Sequence, residues 1–374
     1  MQLSVIILNY NVRYFLELCL LSVQRAIQNL DAEIIVVDNN SLDDSCQMVK
    51  KIFPNVILIE NKENEGFPKG NNRGVKLARG QYICILNPDT VVAEDTFLKI
   101  LNTKNGPLNT GIIGCKLIDG AGNFLPESKR GVPTPWVAFT KIFGLYKISK
   151  LFGKYYAQHL HENQSGKVDI LVGAFMVMTR DLYNKVGGFD ENCFMYSDDI
   201  DLSYMILKQG KYNYYFHETT VIHYKGESTV RDGKYMNRFR EAMQFFYKKH
   251  FKKSIIFDSF MTIGAFVFSL SKKNQKANAK KTIDLYIVFS KTQVNLNLDK
   301  PTQTLSAFSA FKNDFNSQIE IIFDVNDFTF KEIICFMEHN KSTNLSFKKY
   351  IPHSNFLIGS NNSIDRGEII HIKN

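Results

Sequence analysis

Three carboxylates crowd into four positions at Asp198, Asp199 and Asp201, inside the otherwise aromatic and apolar tract from Cys193 to Met205. Like charges this close repel, and a buried carboxylate costs several kcal/mol unless something pairs with it. Beside Phe194, Tyr196 and Tyr204, the cluster calls for a cation, a substrate proton or a helix terminus. Asp198 as an N-cap, with Asp199 and Asp201 in the first turn, accounts for two of the carboxylates well and the third poorly.

Other residues carry chemistry at the ends of apolar runs. Asp89 follows Pro88, which stiffens the turn and removes a backbone donor. Its carboxylate is therefore held in place, either for a divalent metal or as a cap for a helix starting near Ala93. Asp38 closes another run, where an acid either accepts hydrogen bonds from a ribose or base edge or forms a turn with Asn40. His223 ends a third run, as a metal or phosphate ligand or as a structural histidine.

The elements that must position these residues read as α/β. Leu3–Asn9, Glu33–Asp38, Asn55–Glu60 and Tyr82–Asn87 are apolar without polar alternation, as in parallel strands covered on both faces. Helical patterns lie between them near Tyr14–Leu30, Asp43–Ile52 and Gly70–Arg79, and Ser41 to Asp44 reads as a capping box opening the second. This order predicts a parallel sheet with right-handed crossovers. Such a sheet binds ligands at the carboxyl ends of its strands, which here are Asn9-Tyr10-Asn11, Asp38-Asn39-Asn40 and Asn87-Pro88-Asp89. No glycine-rich phosphate loop follows the first strand. A bound diphosphate would need another counter-charge, which a carboxylate-held metal supplies.

Further along, a basic-aromatic helix is expected over 137–157, a strand over Val168–Thr179, a helix over Asp199–Gln209, an extended run over Tyr212–His223 and a helix over Asp232–Phe251. Ile255–Leu270 is apolar and flanked by lysines, either an interfacial helix or a core helix. After Lys280, strands at Thr282–Ser290, Gln318–Phe323 and Asn355–Gly359 and a helix at Thr329–His339 make a small α/β appendage without a chemical motif. The domains therefore read as 1–230, a basic helical and membrane-associating segment over 231–281, and 282–374.

Composition narrows the function. Of the net charge of +9, residues 225–281 carry 14 Lys and Arg against 4 acids, so the rest of the chain is near neutral. Such a block meets phosphate, anionic lipid or nucleic acid, but no nucleic-acid recognition fold surrounds it. The six cysteines lack metal-ligand spacing and read as free thiols in a reducing compartment. No signal peptide is expected, because the first apolar run follows Met1 almost at once.

In order, these motifs resemble glycosyltransferase family 2, with its GT-A fold, and within it a rhamnosyltransferase-like branch. The likeness runs from Ser4 to about Ser228. It rests on Val5 to Asn11, Val36-Val-Asp-Asn-Asn-Ser41, Asn64-Glu-Gly-Phe-Pro-Lys-Gly-Asn-Asn72, Leu86-Asn-Pro-Asp-Thr90, Gly187-Gly-Phe-Asp-Glu191 and Tyr196-Ser-Asp-Asp-Ile-Asp-Leu202. The resemblance implies that Asn9, Tyr10, Asn11, Asp38, Asn64, Gly66, Lys69, Asn71 and Asn87 line the nucleotide-sugar site. It implies Asp199 as catalytic base with Asp198 orienting the acceptor, and Asp89 with His223 as holders of Mg²⁺ or Mn²⁺. Asn87 stands where the family's first metal-motif acid is usual, Asp198 replaces a glutamate, and Met205 replaces a common arginine.

The implied activity is an inverting, metal-dependent transfer from a nucleoside-diphosphate sugar, dTDP- or UDP-linked, to a saccharide or lipid-linked saccharide. The branch leans towards dTDP-rhamnose and towards cell-surface polysaccharide synthesis. The expected location is cytoplasmic, with peripheral docking on the anionic inner face of the membrane. The competing classes are a non-catalytic nucleotide-sugar binding module and, more remotely, a nucleotidyltransferase.

Overall fold

A computed structural model describes residues 1–104, 106, 108–225, 233–251, 282–313, 316–361 and 367–372. The expected Ile255–Leu270 helix and most of the basic block lie outside these residues. The first half alternates β1 (Leu3–Asn9), α1 (Arg13–Ala26), β2 (Ala32–Asp38), α2 (Ser45–Ile52), β3 (Ile57–Glu60), α3 (Gly66–Leu77) and β4 (Tyr82–Leu86). There follow β5 (Thr90–Val91), α4 (Thr96–Asn102), β6 (Ile113–Ile118), α5 (Pro135–Ile142), β7 (Gly166–Val168), β8 (Phe175–Thr179), α6 (Arg180–Lys185), α7 (Asp198–Lys208), β9 (Asn213–His223) and α8 (Gly233–His250). The C-terminal unit contains β10 (Leu285–Phe289), β11 (Thr302–Leu305), β12 (Ile319–Asp324), α9 (Phe330–His339), β13 (Leu345–Ile351), β14 (Phe356–Gly359) and β15 (Glu368–His371).

The larger sheet runs β3-β2-β1-β4-β8-β6-β9-β5, with β7 beside β9. Its first four strands are parallel, β8 runs against both β4 and β6, and β9 is parallel to β6. Both faces are covered, which is why β1 has no polar alternation. Val5 and Ile7 face α1, α2 and α4 through Leu16, Leu20, Met48, Val49 and Phe97. Ile6 and Leu8 face α3, α6 and α7 through Val75, Leu182, Leu202 and Ile206. Gly74 in α3 sits so close that an added Cβ would lie 2.6 Å from Ile6.

Several local expectations need correction. Ser41 does not cap α2, whose N-cap is Asp44 without a side-chain bond. Instead Asp43 takes hydrogen bonds from Ser45 N and from Arg13 N, tying α2 to α1. The 137–157 helix stops at Ile142 and continues as short 3₁₀ turns, because Gly144 enters the left-handed region at φ 70°. Asp89 does not cap α4, which starts at Thr96 with Asp95 as N-cap. The 168–179 run is split between β7 and β8. Among the described residues, no helix is long and apolar enough to cross a membrane.

The second sheet, β11-β10-β12-β13-β14-β15, is parallel through β13 and antiparallel beyond. It shares a core with the larger unit, where Phe15, Leu18, Ile222 and Tyr224 pack with Ile321, Phe323, Ile333 and Phe347. Glu94 accepts from Phe330 N at 2.8 Å and Lys331 N at 2.9 Å, capping α9 from across the interface. Arg25 donates to Val325 O at 2.7 Å. The sequence reading missed β13 because it carries two lysines, and both are buried. Lys348 pairs with Glu320.

Lys349 has no such partner. It is fully buried, 3.2 Å from the Met337 thioether and 5.4 Å from the Tyr224 ring centroid, and among the described residues it forms no ion pair. Burial pushes its pKa down to about 7. The unfolded chain, with a lysine pKa of about 10.4, therefore binds the extra proton between these values, and stability rises with pH across that window. Lys349→Met is expected to add about 1–3 kcal/mol at neutral pH and to flatten that rise. Unchanged thermal melts across pH 7–10 would contradict this.

Candidate functional site

The site is built at the carboxyl edge of β1, β2 and β4. Asn9 stands opposite Asp38 in the parallel register, and its amide donates to Asp38 Oδ1 at 2.8 Å. Ser41 donates to the same carboxylate through Oγ at 2.6 Å and N at 2.8 Å. Asp38 is thus buried and its carboxylate organises the turn. Asn11 and Asn40 hold left-handed φ values of 56° and 63°, which asparagine tolerates better than most residues. Asn11 Oδ1 accepts from Leu42 N at 2.7 Å, cross-linking the two turns, with Tyr10 half-exposed between them.

The 64–72 stretch supplies the next wall. Asn64 Oδ1 accepts from Gly66 N at 3.0 Å and from Asn39 Nδ2 at 3.2 Å. Gly66 has φ +83°, and an added Cβ would lie 2.8 Å from Phe194. Phe67 N donates to Phe194 O at 2.9 Å, so the loop before the acidic motif closes directly on this wall. Two further expected residues make contacts within α3 and its start. Lys69 is half-exposed and paired with Glu65 at 3.0 Å. Asn71 is buried in α3 and bonded to Phe67 O at 2.9 Å.

Asp89, Asn87 and His223 converge at the end of β4. His223 Nε2 lies 3.4 Å from Asp89 Oδ1 and 3.3 Å from Asn87 Nδ2. All three are packed away from solvent or nearly so, and β5 pairs Thr90 with His223 to hold them together. Among the described residues, the buried Asn87 Oδ1 and His223 Nδ1 have no hydrogen-bond partner. Among the described residues no three His, Cys, Asp or Glu side chains gather as a metal cluster. The set fits a hard divalent cation only as a partial shell of one carboxylate, one imidazole and one amide, which a donor diphosphate and water would complete.

The acidic triplet occupies the first turn of α7, with Ser197 as N-cap and no side-chain cap bond. The helix N-terminus therefore faces all three carboxylates, yet their surroundings differ. Asp199 Oδ2 accepts from Arg130 Nη2 at 2.5 Å and from Gly173 N at 3.1 Å. Asp201 accepts from Lys249 at 2.8 Å and His250 at 2.5 Å, both on α8. Among the described residues Asp198 forms no ion pair. Burial and then the neighbouring Asp199 push its carboxyl up to about 7.

This shift fixes a pH dependence. The folded chain holds the Asp198 proton between about 3.9, the ordinary value, and about 7. The resulting stabilisation is full below that window and is lost as pH rises through it. Asp198→Asn should melt higher than the wild type at pH 8 and show a shallower slope from pH 4 to 7. Parallel melting curves across that range would contradict the assignment.

Arg130 and Lys249 escaped the sequence reading, and Asn72 entered it only as the end of the 64–72 motif, without a role. Arg130, whose pKa the Asp199 charge holds up despite burial, comes from an irregular segment nearly 70 residues away. Asn72 accepts from Phe189 N at 3.1 Å and donates to Phe189 O at 2.9 Å, stapling the Gly187–Glu191 loop. Lys249 bridges Asp190 at 2.7 Å and Asp201 at 2.8 Å and lies 3.4 Å from Met205 Sδ. Met205, which replaces an arginine common in the family, thus lies beside a cation from another helix. The vacant signal at Met205 and the lysines ending α8 were the available clues.

The geometry can be set beside known proteins. Residues 4–187 match the family model described as "Glycosyl transferase family 2". An N-acetylglucosaminyl-diphospho-decaprenol L-rhamnosyltransferase of Mycobacterium tuberculosis is 25% identical over 241 residues, which is 62% of this chain and 78% of that protein. A poly(ribitol-phosphate) beta-glucosyltransferase of Bacillus spizizenii is 29% identical over 221 residues, covering 57% of this chain and 33% of that one. The solved mannosyltransferase PcManGT from Pyrobaculum calidifontis, in complex with GDP-Man and Mn²⁺, is 17% identical with a TM-score of 0.47, over 74% of this chain and 76% of that one.

Proposed function

From a chain that carries a family 2 glycosyltransferase domain of GT-A type over residues 4–187, we propose an inverting transfer of a sugar from a nucleoside diphosphate to a lipid-linked saccharide. The observation that supports it most is the meeting of the nucleotide wall and the acidic helix. Phe67 and Phe194 join them, and a Cβ placed on Gly173 would lie 3.3 Å from Asp199 Cβ and 3.7 Å from the Phe67 ring. A sugar held between them has a fixed carboxylate on one side and a diphosphate on the other.

In this reading Asn9, Tyr10, Asn11 and Asp38 hold the nucleoside. An acceptor hydroxyl attacks the anomeric carbon while Asp199 takes its proton. The bond from that carbon to the diphosphate oxygen breaks, and its electron pair leaves with the diphosphate. Attack opposite the leaving group inverts the anomeric centre. Asp198, neutral up to about pH 7, orients the acceptor by donating a hydrogen bond. Asp89, His223 and Asn87 would hold Mg²⁺ or Mn²⁺, which neutralises charge on the departing diphosphate. The name of the mycobacterial relative, a lipid-diphosphate sugar acceptor with rhamnose transferred, supports a similar acceptor class and dTDP-rhamnose as the first donor to try. An anionic leaflet is where such an acceptor would be met.

Asn87, in place of an acid, favours a second reading as a nucleotide-sugar binding module. Thermal stabilisation by UDP, dTDP and GDP, with and without Mn²⁺, tests the site itself. A ligand at about 100 times its Kd adds roughly 2.7 kcal/mol, a shift of a few degrees. The expected result is a metal-dependent shift with one nucleotide that is lost in Asp89→Ala. No shift with any nucleotide would overturn the proposal.

A further inference from the structure

We propose that the surface built by residues 135–154 docks the chain on an anionic lipid bilayer. This deepens the reading of a lipid-linked acceptor and rests on it for its purpose, although the contact itself needs no chemistry. Four of the nine most exposed large apolar side chains of the described residues fall here: Trp136 at 61%, Phe143 at 50%, Ile148 at 79% and Leu151 at 89%. They do not stand singly. Trp136 stacks on Phe139 at 5.6 Å, Phe139 meets Phe143 at 4.6 Å, and Trp136 meets Phe152 at 6.3 Å. Exposed apolar tips grouped around half-buried rings in this way mark an interaction site.

Charge selects the partner. No acid occurs between Glu127 and Glu162, while Lys129, Arg130, Lys141, Lys147, Lys150 and Lys154 do. Lys129 is taken up by the carbonyls of Tyr156, Ala157 and Leu160, and Arg130 by Asp199. Lys147 and Lys154 are exposed beside the apolar tips. A cavity of about 800 Å³ opens next to them, lined by Lys129, Lys147, His159 and His161 among others. Apolar and aromatic tips ringed by lysine suit the headgroup–acyl boundary of an anionic membrane. An acidic protein partner would satisfy the lysines but would leave no reason for tips this exposed.

The surface is wired to the acidic helix. Gly131 N donates to Tyr155 O at 3.1 Å, and the Tyr155 side chain acts on Arg130, which pairs with Asp199. Docking here would bring a lipid-linked acceptor to the proposed base from the membrane side.

Trp136 is the only tryptophan in the chain, so tryptophan emission, excited selectively beyond the tyrosine band, reports this surface alone. The full chain, without donor, is titrated with phosphatidylcholine vesicles and with vesicles containing about 30% phosphatidylglycerol, and each mixture is floated. The expected result is flotation and a blue shift with anionic vesicles, quenching by brominated acyl chains, and loss of binding in high salt. The double variant Ile148→Asp, Leu151→Asp should weaken binding about tenfold or more and leave nucleotide binding unchanged. Flotation with unmoved tryptophan emission would place the contact elsewhere and overturn the proposal. A blue shift that follows protein concentration without lipid would assign the surface to a second copy of the chain and overturn it equally. Vesicle binding without turnover of any donor would leave the docking surface standing and remove the transferase reading instead.

Discussion

Asp199→Asn is expected to lower the rate of sugar transfer by about 10²–10⁴-fold while donor binding stays within a factor of about two or three. The asparagine oxygen can still accept from Arg130 and from Gly173 N, which hold the present carboxylate at 2.5 and 3.1 Å. The backbone of α7 therefore has no reason to move. What is lost is the capacity to take a proton and the charge that compensates the buried Arg130, so the variant should also melt lower than the wild type. Kinetics and nucleotide titration on the same preparation check the two halves together. A parallel collapse of donor affinity would show that Asp199 serves the nucleotide and would sink its assignment as base.

Arg130→Met should have the second large effect, on stability and on titration together. Arg130 and Asp199 are both buried, and removing one partner of a buried pair costs about 3–5 kcal/mol because the other charge is left without compensation. Arg130 also lowers the Asp198 pKa, as the weakest of its influences. Without it, the Asp198 carboxyl moves above its present value of about 7, and the fall of stability with rising pH extends to higher pH. Arg130→Lys keeps the charge and should return the titration most of the way. It also keeps the protein folded enough to read if the methionine variant is not. Thermal melts from pH 4 to 9 on both variants provide the check. Equal pH profiles for wild type and methionine variant would show that Arg130 is only a packing residue.

The parts of this molecule legible in its sequence share one property: their signal is local. β1, β2 and β4 are apolar without alternation because helices cover both faces, and β1 is buried along its whole length. The strand-end residues Asn9, Asp38 and Asp89 follow directly from where those runs stop. The resemblance to family 2 added roles that spacing could not supply, and the family model match from 4 to 187 covers most of those motifs.

What stayed hidden depends on contacts between distant segments. Lys348 and Lys349 make β13 look like a surface stretch, yet one lysine meets Glu320 on the adjacent strand and the other is walled in at the interface of the two sheets. Ser41 looks like a cap for α2 because its spacing to Asp44 is right, but the buried Asp38 carboxylate claims it first. Arg130 carries no mark at all: it sits among prolines and glycines in an irregular segment, and only the fold brings it to Asp199. Asp201 receives no role from the sequence, and it anchors α8 through Lys249 and His250.

The central claim is that this site turns over a nucleoside-diphosphate sugar. It is tested most directly by release of nucleoside diphosphate from a panel of dTDP-, UDP- and GDP-sugars, with Mn²⁺ and with a polyprenyl-diphosphate saccharide extract as acceptor. The account predicts that one donor class is consumed by the wild type, faster when the acceptor extract is present, and not by Asp199→Asn. A wild-type protein that binds a nucleotide sugar tightly and consumes none of them would contradict it, and would leave a binding module in its place.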